Sequence, residues 1–138
     1  MKPNVLFLCT GNSCRSQMAE GFLRRLAGDR FEAHSAGTIP SHVNPLAIAV
    51  MKEQGIDISG HRSKNVTEFL GQHFTYVVTV CDNARQQCPI FPGNSIRLHW
   101  SLEDPAEVVG DEEERLVKFR EIRDQIEQHI RELVAGKM

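Results

Sequence analysis

The chain has 138 residues, 41% of them hydrophobic, and a formal charge of −2 from 16 basic and 18 acidic side chains. At this length roughly 65–70% of the unfolded surface disappears on folding, so one domain over residues 1–138 builds its core without metal or disulfide staples. A pI near 6.3 lacks the basic excess of a nucleic-acid footprint, and no apolar run approaches the ~18–20 residues that span a bilayer.

Val5 to Leu8 reads as a short buried strand, with only Lys2 charged before it and no small-residue cleavage site after it, so a cytoplasmic protein is expected. The strand runs into Cys9-Thr10-Gly11-Asn12-Ser13. Met18, Phe22, Leu23 and Leu26 then recur at helical spacing from about Ser16 to Ala27, and Gly28 supplies a stop. Phe31 to Ser35 is a second strand. Asn44-Pro45 starts a helix, with Asn as cap and Pro at the first helical position, and Gly55 ends it. Tyr76 to Val80 is the clearest strand, and Ile96 to Trp100 is a fourth. From Glu112, Leu116, Phe119, Ile122, Ile126, Ile130 and Leu133 recur at three and four, which predicts a long amphipathic helix to about Val134. The acidic run from Asp111 to Glu114 suits the positive end of that helix dipole.

Strands alternating with helices predict one α/β domain with a mainly parallel sheet, in which ligands bind beyond the carboxyl ends of the strands. Cys9 follows the first strand and Cys81 the third. Two cysteines distant in sequence therefore fall at one edge of the sheet.

Arg15 follows Cys9 by six residues, a spacing that suits thiolate attack on a tetrahedral oxyanion. The bare spacing is weak evidence, and its context strengthens it. The pair lies in a strand–loop–helix segment with Gly11, Asn12 and Ser13, where successive backbone N–H groups can form an anion nest and the helix dipole adds positive potential. The Arg15 fork matches two oxygens of such an anion. Thr10 and Ser16 offer hydroxyls to the sulfur, and Asn12 tolerates the left-handed backbone of a tight loop.

The segment Cys9-Thr10-Gly11-Asn12-Ser13-Cys14-Arg15-Ser16 resembles the active-site loop shared by low-molecular-weight protein tyrosine phosphatases and thioredoxin-coupled arsenate reductases. Ser35-Ala36-Gly37, Asn44-Pro45, Gly55-Ile56-Asp57-Ile58-Ser59 and His99-Trp100 extend the likeness over nearly the whole chain. The resemblance implies a four-stranded parallel sheet flanked by helices, with the oxyanion-binding loop after the first strand. Phosphatases usually have Pro where this chain has Gln17, and Gln17-Met18-Ala19-Glu20-Gly21 looks like the reductase branch.

That branch implies a relay that reduces arsenate to arsenite in arsenic detoxification. Cys9 attacks arsenate, Cys81 attacks the adduct, and Cys88 takes over Cys81, leaving a disulfide for thioredoxin. No tightly bound cofactor is implied, phosphate and sulfate are analogues of the substrate, and a monomer is expected. A regular helix over residues 81–88 would hold the two Cα atoms about 10 Å apart, beyond the ~7 Å disulfide limit, so that segment must loop or unwind on oxidation. Cys14 matches the family loop but reads as a packing residue.

Asp104-Pro105 matches the general acid of the phosphatases, although Ala106 and Glu107 stand where those enzymes usually carry aromatic residues for phosphotyrosine. Some reductases bind a monovalent cation through residues corresponding to Asn12, Glu20 and Ser35 plus an aspartate. Lys64 occupies that last position and supplies an ammonium instead. The six histidines form no ligand-spaced cluster and read as surface or packing groups. A low-molecular-weight phosphatase remains the alternative, and weak phosphatase activity is compatible with either reading. A zinc-binding or redox-sensing module on the four cysteines is the alternative of another class, although Cys81 and Cys88 are spaced too widely for a zinc pair.

Overall fold

The computed structural model describes residues 2–137. Val5, Leu6, Phe7 and Leu8 are buried without exposure, as expected of a strand covered on both faces. They form β1 (Asn4–Cys9), which is flanked by β2 (Glu32–Gly37) and β3 (Tyr76–Thr79), with β4 (Ile96–His99) outside β3. The order is β2-β1-β3-β4 and every pairing is parallel. Connections leave β1 and β3 toward opposite sides, so the crevice between their carboxyl ends is the switch point of the sheet.

Four helices accompany these strands among the described residues: α1 (Arg15–Ala27), α2 (Pro45–Lys52), α3 (Asp82–Gln87) and α4 (Glu112–Val134). α4 has the bounds its periodicity predicts. Asp111 caps it by accepting from the Glu114 N–H at 2.8 Å, and Phe119, Ile122, Ile126, Ile130 and Leu133 turn into the core. Arg123 interrupts that apolar stripe but is buried with partners, donating to Val50 O at 2.9 Å and Glu53 Oε1 at 2.7 Å. It ties α4 to the end of α2.

Several boundaries differ from the sequence reading: β3 stops at Thr79 rather than Val80 and β4 at His99 rather than Trp100, one residue short in each case. The second strand runs to Gly37, beyond the predicted Ser35, because the parallel register pairs Cys9 with Gly37. α2 stops at Lys52, and the chain turns through Gly55 at φ 74°, a left-handed value suited to glycine. Among the described residues no helix is long and apolar enough to cross a membrane.

Phe119 carries much of the α4 packing, and its side chain is fully enclosed. Phe119→Ala should lower the unfolding free energy by about 3–5 kcal/mol, read as a lower urea midpoint at an unchanged m-value.

Candidate active site

Cys9 closes β1, and residues 10–14 carry the chain from the sheet into α1. The carbonyls of this loop are all engaged away from the cleft. Those of Cys9, Thr10, Gly11 and Ser13 accept from the N–H groups of Thr38, Ile39, Ser41 and Asn44 at 3.3, 2.9, 3.0 and 3.0 Å. The Asn12 carbonyl accepts from Ser63 Oγ at 2.7 Å, and that of Cys14 accepts from Met18 N at 2.9 Å within the start of α1. In a trans peptide the N–H points opposite to the C=O, so the N–H groups that follow are left to face inward. Asn12 takes the turn at φ 48°, as its residue type allows. No side chain caps the amino end of α1 and its first turn carries no acid, so this end stays open to an anion.

Cys9 Sγ accepts from the Asn12 N–H at 3.1 Å and lies 2.8 Å from Ser16 Oγ. Ser16 Oγ itself accepts from Asn12 Nδ2 at 2.8 Å, which leaves its proton for the sulfur. The Thr10 hydroxyl corrects the expectation made for it. It stands with Cys81 Sγ at 3.4 Å rather than with Cys9, and accepts from Asn83 Nδ2 at 3.0 Å. Thr10 leaves the loop on the β3 side, so its side chain meets the element that follows β3. Cys14 is buried, its thiol donates toward Ser13 Oγ at 3.8 Å, and burial pushes its pKa up to about 12. It stays a thiol at neutral pH, in keeping with the packing role read from its position.

Arg15 is 9% exposed, donates to Leu102 O at 2.9 Å and lies 3.6 Å from Asp104 Oδ2. Its Nε is buried and has no hydrogen-bond partner among the described residues, which suits the donor to an anion in the cleft. Asp104 accepts from the Ala106 N–H at 3.0 Å, capping the short 3-10 turn Pro105–Glu107 while its other oxygen faces Arg15. A cleft of about 520 Å³ joins these groups, lined by Cys9, Ser13, Arg15, Cys81, Asp104 and Glu107 among others. Among the described residues no three His, Cys, Asp or Glu side chains group to hold a metal ion.

Behind the loop, Asn12 Oδ1 accepts from the Lys64 N–H and from Gln17 Nε2, both at 2.9 Å. Gln17 also donates to Arg62 O at 2.9 Å, and its Oε1 accepts from His61 Nδ1 at 2.9 Å. Buried Glu20 accepts from Ser35 Oγ at 2.5 Å and lies near Arg24, His61 and Lys64 at 2.9, 3.6 and 3.7 Å. Burial lowers the pKa of both His61 and Lys64, and Glu20 opposes the shift in each. The predicted residues Asn12, Glu20, Ser35 and Lys64 therefore do converge. Gln17 and His61 complete the network and were not anticipated; the departure from Pro at position 17 was the signal available for the first.

Cys81 caps the amino end of α3, its sulfur accepting from the Ala84 N–H at 3.4 Å, and Cys88 follows the carboxyl end. Cys81 lines the same cleft as Cys9, whereas Cys88 lies in a separate groove and accepts from Arg97 Nη1 at 3.2 Å. Of the histidines, His129 stacks on Trp100 with centroids 4.8 Å apart, while His61 and His99 make specific polar contacts.

A thiol in a strand–loop–helix anion cradle, with an arginine fork and an aspartate at the rim, defines the class of cysteine-nucleophile enzymes that act on tetrahedral oxyanions. The chain belongs to the low molecular weight phosphotyrosine protein phosphatase family, whose profile matches residues 4–137. It is 46% identical over 130 residues, 94% of each chain, to a protein of Halalkalibacterium halodurans named arsenate reductase. Among solved structures it resembles an arsenate reductase in the oxidized state at a TM-score of 0.84, with 36% identity over 100% of both chains. It also resembles the thioredoxin-dependent arsenate reductase of Corynebacterium glutamicum, at a TM-score of 0.73 and 32% identity, covering 99% of this chain and 62% of that one.

As a helix with about 1.5 Å rise per residue, α3 sets the Cα atoms of Cys81 and Cys88 about 10 Å apart, too far for a disulfide. Crystals grown reduced and oxidised should differ in backbone over residues 81–90. Superimposable backbones in the presence of a Cys81–Cys88 bond would contradict this.

Proposed function

We propose that the chain reduces arsenate to arsenite through three of its thiols, with thioredoxin as electron donor, and so serves arsenic detoxification. The observation that carries the reading is the shared cleft of Cys9 and Cys81, bridged by Thr10, with Cys88 one short helix away. The 46% identical relative named arsenate reductase and the thioredoxin-dependent structural neighbour support it.

The cradle N–H groups and Arg15 hold the oxyanion while the Cys9 thiolate attacks arsenic and a protonated oxygen leaves as water. Asp104, beside Arg15, is the group that handles that proton. The Cys81 thiolate then attacks Cys9 Sγ. The sulfur–arsenic electron pair passes to arsenic, which departs as arsenite two electrons richer, leaving a Cys9–Cys81 disulfide. Cys88 attacks Cys81 and expels Cys9 as the thiolate, and the dithiol of thioredoxin reduces the resulting Cys81–Cys88 bond.

All these groups come from one chain, which supports a working monomer, and no tightly bound cofactor takes part. Regeneration by thioredoxin requires a reducing compartment, hence the cytoplasm. Ala106 and Glu107 beside Asp104 leave the cleft without an aromatic platform and favour a small inorganic oxyanion over a phosphopeptide. Slow hydrolysis of phosphate monoesters accompanies this chemistry, since the loop and Asp104 suit both.

The test is arsenate turnover coupled to thioredoxin, thioredoxin reductase and NADPH. Cys9→Ser should abolish it, and Cys88→Ser should give about one arsenite per enzyme and then stop. Sustained turnover by Cys88→Ser would overturn the three-thiol relay. With the Lys64 ammonium 3.7 Å from Glu20, exchanging Na⁺ for K⁺ at constant ionic strength should leave turnover unchanged, and clear activation by K⁺ would contradict that role for Lys64.

A further inference from the structure

Arg97 and His99 are two residues apart on β4, so their side chains leave the same face of the strand. They reach opposite ends of α3. At the amino end His99 Nε2 donates to Asp82 Oδ1 at 3.0 Å, with the ring fixed from behind by Thr79 Oγ1, 2.8 Å from Nδ1. At the carboxyl end the Arg97 guanidinium donates twice, to Cys88 Sγ at 3.2 Å and to Pro89 O at 3.1 Å. The helix between them has six residues and buries only Ala84. Helices this short do not persist on backbone hydrogen bonds alone, so contacts at the two ends carry a large share of its stability. Beneath it lies a groove of about 340 Å³ lined by Val77, Thr79, Arg85, Cys88 and Leu98, which gives the segment room to rearrange.

We propose that Arg97 and His99 are positioning residues that clamp the two ends of α3 in the dithiol state and thereby raise the reduction potential of the Cys81–Cys88 couple. The proposal rests on the relay described above and concerns how readily that couple gives up its electrons. Forming the disulfide joins the two sulfurs, passes two electrons and two protons to the oxidant, and requires α3 to unwind. The Arg97 contact to Cys88 and the alignment of Asp82 with His99 are then lost. Interactions present only in the reduced form favour that form and make the disulfide a stronger oxidant, hence more easily reduced by a protein dithiol.

The experiment equilibrates the Cys9→Ser protein, in which Cys9 cannot exchange, in dithiothreitol redox buffers. The Cys81–Cys88 disulfide is quantified by alkylation and peptide mass. Arg97→Met and His99→Phe should each shift the equilibrium about three- to tenfold toward the disulfide, and the double variant by roughly the product. Arg97→Lys restores the charge without the fork and should shift it less than Arg97→Met. Hydrogen exchange in the reduced variants should quicken over residues 82–88 and stay unchanged in the sheet. Arg85→Met, which removes a last-turn cation of α3 that makes no hydrogen bond or ion pair among the described residues, should shift the equilibrium less than either Arg97→Met or His99→Phe. An unchanged constant in Arg97→Met and His99→Phe, or an equal shift in Arg85→Met, overturns the clamp while leaving the relay intact. Failure of any Cys81–Cys88 disulfide to form overturns the relay, and the clamp with it.

Discussion

The outward anchoring of the loop carbonyls is the constraint on which the rest of the site depends. A chain segment can offer its N–H groups to an anion only if its carbonyls have partners elsewhere, because one unpaired carbonyl turned inward would meet the anion with like charge. Segment 38–44 supplies four of those partners from its backbone, and Ser63 supplies another. The approach is close enough to dictate residue type. A Cβ on Gly37 would lie 2.4 Å from the Thr10 oxygen and 2.8 Å from the Asn12 nitrogen, so glycine at the end of β2 is a condition for the loop to form beside it.

This geometry explains how one scaffold accommodates both phosphoryl and arsenate chemistry. The cradle, the Cys9 thiol and the Arg15 fork suit a tetrahedral oxyanion whether phosphorus or arsenic sits at its centre. What separates the chemistries lies outside the loop. Hydrolysis needs only a water and a proton relay, whereas reduction needs a second thiol able to attack sulfur. Thr10 connects the two, belonging to the loop by sequence while its hydroxyl stands with Cys81.

Local patterns made much of the architecture legible in the sequence. The apolar spacing from Leu116 to Leu133 marks the body of α4, and Asn44-Pro45 marks the start of α2, because caps and periodicity are properties of neighbouring residues. The second strand was read short because its last pairing depends on Cys9, far away in the chain. The loop residues Cys9 to Ser16 were legible through their order, and the left-handed Asn12 through its residue type. The contacts of Gln17, His61, Arg97 and His99 were not. Each joins segments distant in sequence, and nothing in the immediate neighbourhood of a lone polar residue indicates which partner the fold will bring to it.

The proposed relay sets opposite demands on its thiols, and the two sides of the cleft are built differently in a way that suits them. Cys9 must stay in register with the cradle, and a continuous polar chain runs from it through Ser16, Asn12 and Gln17 to His61, close to buried Glu20. Glu20 is paired with Arg24 and Lys64 and accepts from the Ser35 hydroxyl, so deleting it would leave the largely buried Lys64 ammonium without its carboxylate. That half resists deformation because moving any member leaves a buried group unpaired. The other half is one short helix held at its ends and packed through Ala84, with most of its side chains in water. Its stability rests on a few contacts at those ends rather than on a buried network, so a rearrangement between Cys81 and Cys88, where the proposed relay calls for one, leaves the Cys9 side of the cleft undisturbed.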